Sequence, residues 1–415
     1  MARIVQKYGG TSVGSVERIK HVASRIEQSV VQGHELVVVV SAMGKSTDQL
    51  VQLAGDITDN PSKREMDMLL STGEQVTISL LTMALHELGI EAISLTGWQA
   101  GMQTEASHGN ARISEINSKR MEEELQSGKV VIVAGFQGIS GTEITTLGRG
   151  GSDTTAVAIA AALKASRCDI YTDVTGVFTT DPRYIKSARK LHSISYDEML
   201  EMANLGAGVL HPRAVEFAKN YDVPLMVASS MEDVIGTIIE EEVSMEQSLI
   251  VRGIAFENDV TKVTVSGLPN HLNTLSKLFT TLSSHQVNVD IIVQNQYDDN
   301  HVNISFSITQ SSLKETLAVL QEAQEELQFT DIHFEEELAK VSIVGSGMVS
   351  NPGVAAQMFE VLAENEIYIK MVSTSEIKVS VVIEEANMVL AVERLHEAFQ
   401  LAEEAGQVQE EVSSL

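Results

Sequence analysis

Beyond residue 260 the chain repeats itself, and that repeat limits what it can fold into. "KVTVSG" from Lys262 is answered by "KVSIVG" from Lys340, 78 positions later. Phe279 and Leu282 of "KLFTTL" then align with Phe359 and Leu362 of "QMFEVL", at a spacing of 80, and "VNVDIIVQ" with "IYIKMVST". Two residues have therefore entered the second copy, in the loop holding Asn351, Pro352 and Gly353. Each copy reads strand, helix, strand, strand, helix, the order of a ferredoxin-like βαββαβ unit. The first copy ends in a closing strand at Thr330–Glu336. The second has none, because its tail "LAEEAGQVQEEVSSL" is polar. A spare strand, "LIVRGIAF" at Leu249–Phe256, precedes the first copy and is expected to close the second, interlocking the two.

The first 230 residues follow a different rule. Strand-like runs at Arg3–Lys7, Leu36–Val40, Ala92–Ser94, Val130–Ala134, Asp169–Thr172 and Leu225–Val227 alternate with helical periodicity. The helices are expected at Val16–Gln32, Gln75–Leu88, Ser114–Ser127, Asp153–Ser166 and Tyr196–Ala203. This is an α/β pattern, a mainly parallel sheet with helices on both faces. Functional loops then belong at the carboxyl ends of its strands. The expected domains are 1–240 for this unit, 241–261 for an acidic linker and the spare strand, 262–337 and 338–402 for the repeats, and 403–415 for a polar tail.

Charge and cysteine content narrow the partners. Lys+Arg 29 against Asp+Glu 57 gives a net charge of −28, which argues against nucleic acid and anionic membranes. Cys168 is the single cysteine, so an intramolecular disulfide and a cysteine-based zinc site are both out. No apolar run approaches the roughly 18 residues of a membrane span, and the N-terminus begins a strand at once. A cytoplasmic protein is expected.

Several loops carry candidate chemistry. "VVVVSAMGKST", Val37–Thr47, ends like a P-loop, but Val39 stands where the motif needs its first glycine, so the match fails. "KYGGTS" follows the first strand and places Lys7 beside Gly9 and Gly10, with Thr11 and Ser12 as hydrogen-bond donors or helix caps. "GRGGSDTTA" sets Arg149 among Gly148, Gly150 and Gly151, then Ser152 and Asp153 open an Ala-rich helix whose free amides favour an anion. Asp153 also reads as a plain N-cap. A guanidinium among glycines suits bidentate carboxylate binding. "STGEQ" puts Glu74 at an expected helix start, where it also serves as a dipole partner. "YTDVTGVFTTDPR" holds two aspartates and a D-P-R turn after a strand. His211 of "VLHPRA", before proline in an apolar setting, reads as structural.

In this order the motifs KYGGTS, SAMGKSTDQL, STGEQ, GRGGSDTTA, TDVTGVFTTDPR and VLHPRA resemble the amino-acid kinase family, and within it the aspartate kinase branch. The resemblance covers essentially the whole chain, and the repeats are similar to that branch's paired ACT domains. It implies phosphoryl transfer from ATP to the side-chain carboxylate of L-aspartate, with Mg²⁺ carried mainly on the ATP phosphates. Lys7 would stabilise the transferring phosphoryl group, with Asp153 orienting it. Thr47, Glu74, Arg149, Gly150, Gly151 and Ser152 would hold aspartate, Arg149 at the α-carboxylate and Glu74 at the ammonium. Lys7, Tyr8, Gly9, Gly10, Ser41, Thr172, Asp173, Thr179, Asp181 and Arg183 would bind ATP.

The resemblance also implies feedback control through the repeats by an amino acid, lysine first and threonine second. Asp290, Gln294, Asn351 and Val354 are the expected effector contacts, with Glu360 and Glu364 nearby. A homo-oligomer, or assembly with a regulatory subunit translated separately from Met245, is expected. Two departures stand out. Gly208 replaces a lysine that many relatives direct at the ATP phosphates, leaving Arg183 or Lys186 to compensate. The first-repeat loop "GLPNHLN" lacks the Pro-Gly of the second. The alternatives are another ACT-regulated amino-acid kinase, such as one acting on glutamate, or an amino-acid sensor with an inactive kinase half. Intact Lys7, Arg149 and Asp153 argue against the sensor.

Overall fold

The computed structural model describes residues 2–241, 250–298 and 300–402. Most of the acidic linker, Met245 and the polar tail lie outside the described residues. The chain forms two compact units. One comprises Met1–Phe178, Lys190–Asn204 and Gly208–Gln247; the other comprises Thr179–Arg189, Leu205–Ala207 and Ser248–Leu415. The second unit thus takes two short segments from within the first 240 residues, which the boundaries drawn from sequence did not anticipate.

The first unit is built on an eight-stranded sheet. Its spatial order is Ser193–Ser195, Thr237–Glu240, Leu225–Ser229, Arg167–Thr172, Arg3–Tyr8, Glu35–Val40, Val130–Ala134, Ala92–Leu95. Neighbours are parallel except Leu225–Ser229 and Thr237–Glu240, which run antiparallel. Val37 to Val40 are all completely buried, as a strand covered on both faces requires. The two-residue period of the central strand sorts its side chains. Ile4 and Tyr8 face the apolar cluster filled by helices Val16–Val31 and Lys63–Glu87. Lys7 faces the other way, toward helix Gly151–Ala162, which packs on the central strand.

Helix Lys63–Glu87 is long and apolar enough to cross a membrane, but Ile78, Leu81 and Leu85 lie in the core beneath the sheet. It begins at Ser62, whose side chain accepts from the Glu65 amide, so Glu74 is mid-helix and not at a helix start. The helix expected over Ser114–Ser127 is instead a strand, Ile113–Ile116, then a shorter helix, Lys119–Gln126. That strand belongs to a small four-stranded sheet with Met102–Thr104, Gln137–Ser140 and Glu143–Thr146. Sequence reading did not find this sheet, because its strands are three or four residues long and too short to show a period.

In the second unit the repeats share one antiparallel six-stranded sheet, ordered Ile292–Gln296, His301–Ile308, Gly253–Pro269, Asp331–Val344, Lys378–Glu384, Met371–Thr374. The two central strands are long enough to serve both repeats. Lys262–Ser266 pairs with Asp331–Glu335 of the first repeat, whereas Gly253–Glu257 pairs with Lys340–Val344 of the second. The register breaks between these stretches, where Glu337 adopts a left-handed φ of 55°. Each repeat keeps its own helix-covered core.

The segment Thr179–Arg189 is an arm stitched into the second repeat's core. Ile185 is buried with Ile254, Ile343 and Leu395. The Thr179 carbonyl accepts from the Ile254 amide at 2.7 Å. The Thr179 hydroxyl pairs with His396 Nε2 at 2.9 Å on the last helix, Met388–Ala398. Tyr184 meets Phe256 edge-on, and Ala188 bridges to Ala402.

Candidate active site

A cleft of about 310 Å³ opens at the carboxyl ends of the first unit's strands. On its wall Lys7 Nζ lies 2.6 Å from Asp153 Oδ1, with the two side chains 11% and 13% exposed. Asp153 Oδ1 is not in hydrogen-bonding alignment, so the contact is an ion pair. Asp153 is also not the helix cap. Gly150 holds that position in a left-handed conformation (φ 69°) and offers no side chain; the Gly151 amide donates to Gly148 O at 3.0 Å, and the Ser152 and Asp153 amides stay available to an anion. A pair so nearly removed from water is costly to build and contributes little to stability, which directs attention to its chemistry.

The glycines of "KYGG" let two loops meet. A Cβ on Gly10 would stand 2.9 Å from the Ala42 carbonyl, and the Gly44 amide donates to Gly10 O at 2.9 Å. Gly9 lies against Lys7 Nζ, although its amide donates to Tyr171 O at 3.3 Å. Ser41 and Thr47 both line the cleft, Thr47 from the first turn of helix Ser46–Gly55.

Glu74 closes the far wall. It is 3% exposed, and its Oε1 accepts the Ala42 amide at 3.0 Å. Its Oε2 is buried with no hydrogen-bond partner among the described residues. Burial pushes its pKa up to about 7, against the pull of two backbone hydrogen bonds. Gly73 makes this contact possible, since a Cβ there would sit 2.8 Å from the Ala42 side chain. Arg149, Gly150, Gly151 and Ser152 complete the cleft. Arg149 stands between two left-handed glycines, Gly148 (φ 74°) and Gly150. The His211 ring fills the space beneath Gly150, where a Cβ would collide with it. Burial lowers the pKa of that ring, Arg213 and Arg149 add to the effect, and Asp153 opposes it.

The expected nucleotide residues are only partly gathered here. Lys7, Gly10 and Ser41 line the cleft; Thr172 and Asp173 sit at the end of the neighbouring strand, with the Thr172 hydroxyl donating to Asp173 Oδ1 at 3.1 Å. The Tyr8 side chain is a correction. Strand alternation turns it into the core, fully buried and stacked on Tyr171 at 4.8 Å. Thr179 is another, since its hydroxyl is spent on His396 inside the second unit. Asp181 and Arg183 close their own turn with an ion pair at 2.6 Å. Ser12 is likewise spent, donating to Ser230 Oγ in a buried contact, and the adjoining helix is capped by Ser15. Gly208 is exposed with open space around it, and Lys186 donates to the Pro182 carbonyl at 3.3 Å.

Among the expected effector residues, Gln294 lines a second cavity of about 310 Å³ with His271, Thr274 and Val302 of the first repeat. Asn351 is exposed and donates to Gly347 O, and Val354 starts helix Val354–Glu364. Glu360 and Glu364 are exposed. Asp290 is half-exposed and ion-paired at 2.6 Å with Lys340, a buried lysine also held by Glu257. Ala42 and Phe136, which line the cleft, were missed from the sequence. Ala42 lies inside the SAMGKSTDQL motif but acts through its backbone amide, and no quoted motif reaches Phe136.

The amino acid kinase family model matches residues 2–229, and the ACT domain model matches residues 263–324 and 341–399. An aspartokinase of Geobacillus stearothermophilus is 66% identical over 409 residues, covering 98% of this chain and all of its own. The crystal structure of E. coli aspartokinase III in complex with aspartate and ADP (R-state) aligns with a TM-score of 0.81 at 27% identity, covering 95% of this chain and 99% of that one. The E. coli aspartokinase III complex with lysine and aspartate (T-state) aligns at 0.76 and 26%, with the same coverage.

Proposed function

The chain belongs to the amino acid kinase family, and from that premise we propose that it transfers the γ-phosphoryl group of ATP to the side-chain carboxylate of L-aspartate, as an aspartate kinase does. The carboxylate oxygen forms a bond to phosphorus, the bond from phosphorus to the ADP oxygen breaks, and 4-phospho-L-aspartate and ADP leave. A carboxylate is already an ionised nucleophile, so the chain has no proton to remove. Its task is positioning and charge neutralisation.

The observation that carries this reading is the Lys7–Asp153 pair in one cleft with Arg149 and Glu74. Lys7 would stabilise charge on the phosphoryl group in flight, held on target by Asp153. Arg149 would receive the α-carboxylate and Glu74 the ammonium, with Thr47 and Ser152 beside them. Ser41, Gly10 and the Ser152 and Asp153 amides would meet phosphate oxygens, and Thr172 and Asp173 the rest of the nucleotide. Mg²⁺ would ride on the ATP phosphates. The cleft's two carboxylates suit this, since Asp153 is already paired with Lys7 and Glu74 is sunk in the protein.

We further propose that the product feeds lysine, threonine and methionine synthesis in the cytoplasm, and that lysine inhibits through the ACT repeats, with threonine as a second effector. Assembly would run through those repeats, between copies of the chain or with a separate regulatory subunit. A coupled assay of ADP release tests the reading. Aspartate should support turnover, glutamate should not, and added lysine should slow it. Turnover with glutamate alone, or with neither, would overturn it.

A further inference from the structure

Among the described residues, the Arg149 side chain has no hydrogen bond or ion pair. Its neighbours Gly148 and Gly150 are both left-handed glycines, the residue type that loses most conformational freedom on being fixed. Something outside the loop must hold it. The residue best placed is Arg213, two positions after the His211 that lies beneath Gly150. Arg213 Nη1 donates to the Leu147 carbonyl at 2.7 Å and to Asn110 Oδ1 at 3.1 Å, and Nη2 to the Ala111 carbonyl at 3.3 Å. Gly148 rests on that same Asn110, where a Cβ would come within 2.8 Å of Oδ1. The platform is pinned from its other side by Asp67, which is completely buried. Asp67 accepts from the Gly109 amide and the Thr146 hydroxyl and pairs with His108 Nδ1 at 2.7 Å.

We propose that Arg213 is a positioning residue for substrate binding. It clamps the backbone on the near side of the Gly148–Gly150 turn and so aims Arg149 into the cleft. The inference rests on the reading that Arg149 receives the substrate's α-carboxylate. Arg213 does not line the cleft. It acts only through Leu147, Ala111 and Asn110, and a planar fork with several donors spans three acceptors that an ammonium cannot reach together.

Steady-state kinetics on the full-length enzyme test this. Arg213→Met should raise the KM for aspartate by about tenfold, the scale of a lost charged hydrogen bond, while the KM for ATP and kcat stay within about threefold. General loosening of the fold would move all three together. Arg213→Lys, which keeps one contact, should fall between. Asn110→Ala, at an exposed position, should raise the aspartate KM in the same direction and decides the matter if Arg213→Met does not fold. Arg149→Lys should raise the aspartate KM by itself, and adding Arg213→Met to it should raise it little more. The proposal is overturned if Arg213→Met and Asn110→Ala leave the aspartate KM unchanged while Arg149→Lys raises it, or if the Arg149 and Arg213 effects multiply. A normal aspartate KM in Arg149→Lys would remove the reading of Arg149 and this inference with it.

Discussion

Lys7 Nζ and Asp153 Oδ1 meet at 2.6 Å, one on the central strand and the other in the first turn of the helix packed across it. Removing the lysine leaves a nearly buried carboxylate alone and takes away the cation proposed to act on the phosphoryl group. Lys7→Ala is therefore expected to lower kcat by about 10²–10³-fold, the scale of a lost oxyanion donor. Circular dichroism should show the fold retained. Turnover within a few-fold of the parent enzyme would mean that another group carries the charge.

The role proposed for Glu74 predicts pH-dependent binding. Its folded pKa of about 7 lies above its ordinary value because burial disfavours the charge. The folded protein thus holds a proton that the unfolded chain has released, so the ligand-free enzyme should lose stability as pH rises from the usual carboxylate range through about 7. In its proposed role Glu74 meets the substrate ammonium in the ionised form, so kcat/KM for aspartate should climb over the same interval. Glu74→Gln should flatten the stability profile and raise the aspartate KM at every pH. A Glu74→Gln enzyme that kept the parent's slope would place the titration elsewhere.

Effector control should respond to the first-repeat cavity. Gln294 lines it, and Asn351 stands at the equivalent junction of the second repeat. Replacing either with alanine is expected to raise the lysine concentration for half-inhibition by about tenfold. Activity without lysine should hardly change. Lost activity with undiminished lysine sensitivity would move the effector site away from these residues.

Truncation should separate the two roles of the long shared strand. A fragment starting at Met245 keeps Gly253–Glu257 to pair with Lys340–Val344, whereas one starting at Lys262 bares that edge and should aggregate. Even the longer fragment lacks Ile185, whose burial stabilises by roughly 1.5–3 kcal/mol. Adding a peptide of residues 179–189 should raise its melting temperature. Equal solubility of the two fragments would contradict the shared-strand account, and an indifferent peptide would contradict the arm's role.

What could be read from the chain was what is local or periodic. Four buried valines announce a central strand, and a polar tail that cannot close a repeat announces a borrowed one. Glu74 was placed at a helix start, whereas it lies mid-helix, and the missing side chain of Gly73 lets helix Lys63–Glu87 approach Ala42. Tyr8 was drawn into the nucleotide list by its motif, although strand alternation already turned it from Lys7. Arg213 sat unremarked in "VLHPRA" because its partners are 66 to 103 positions away.

The Thr179–His396 hydrogen bond joins residues 217 positions apart. On a ribosome adding about 5–20 residues each second, the arm would wait on the order of ten to forty seconds for its partner helix to appear. Throughout that interval Ile185 has nowhere to hide, while the strands that flank the arm in sequence have all their neighbours once Thr237–Glu240 is made. The newborn chain thus passes through a stage in which its first sheet can form but one apolar finger stays uncovered. A chaperone that grips short aliphatic segments would find its opening there, and the last helix to be made would be the one that ends it.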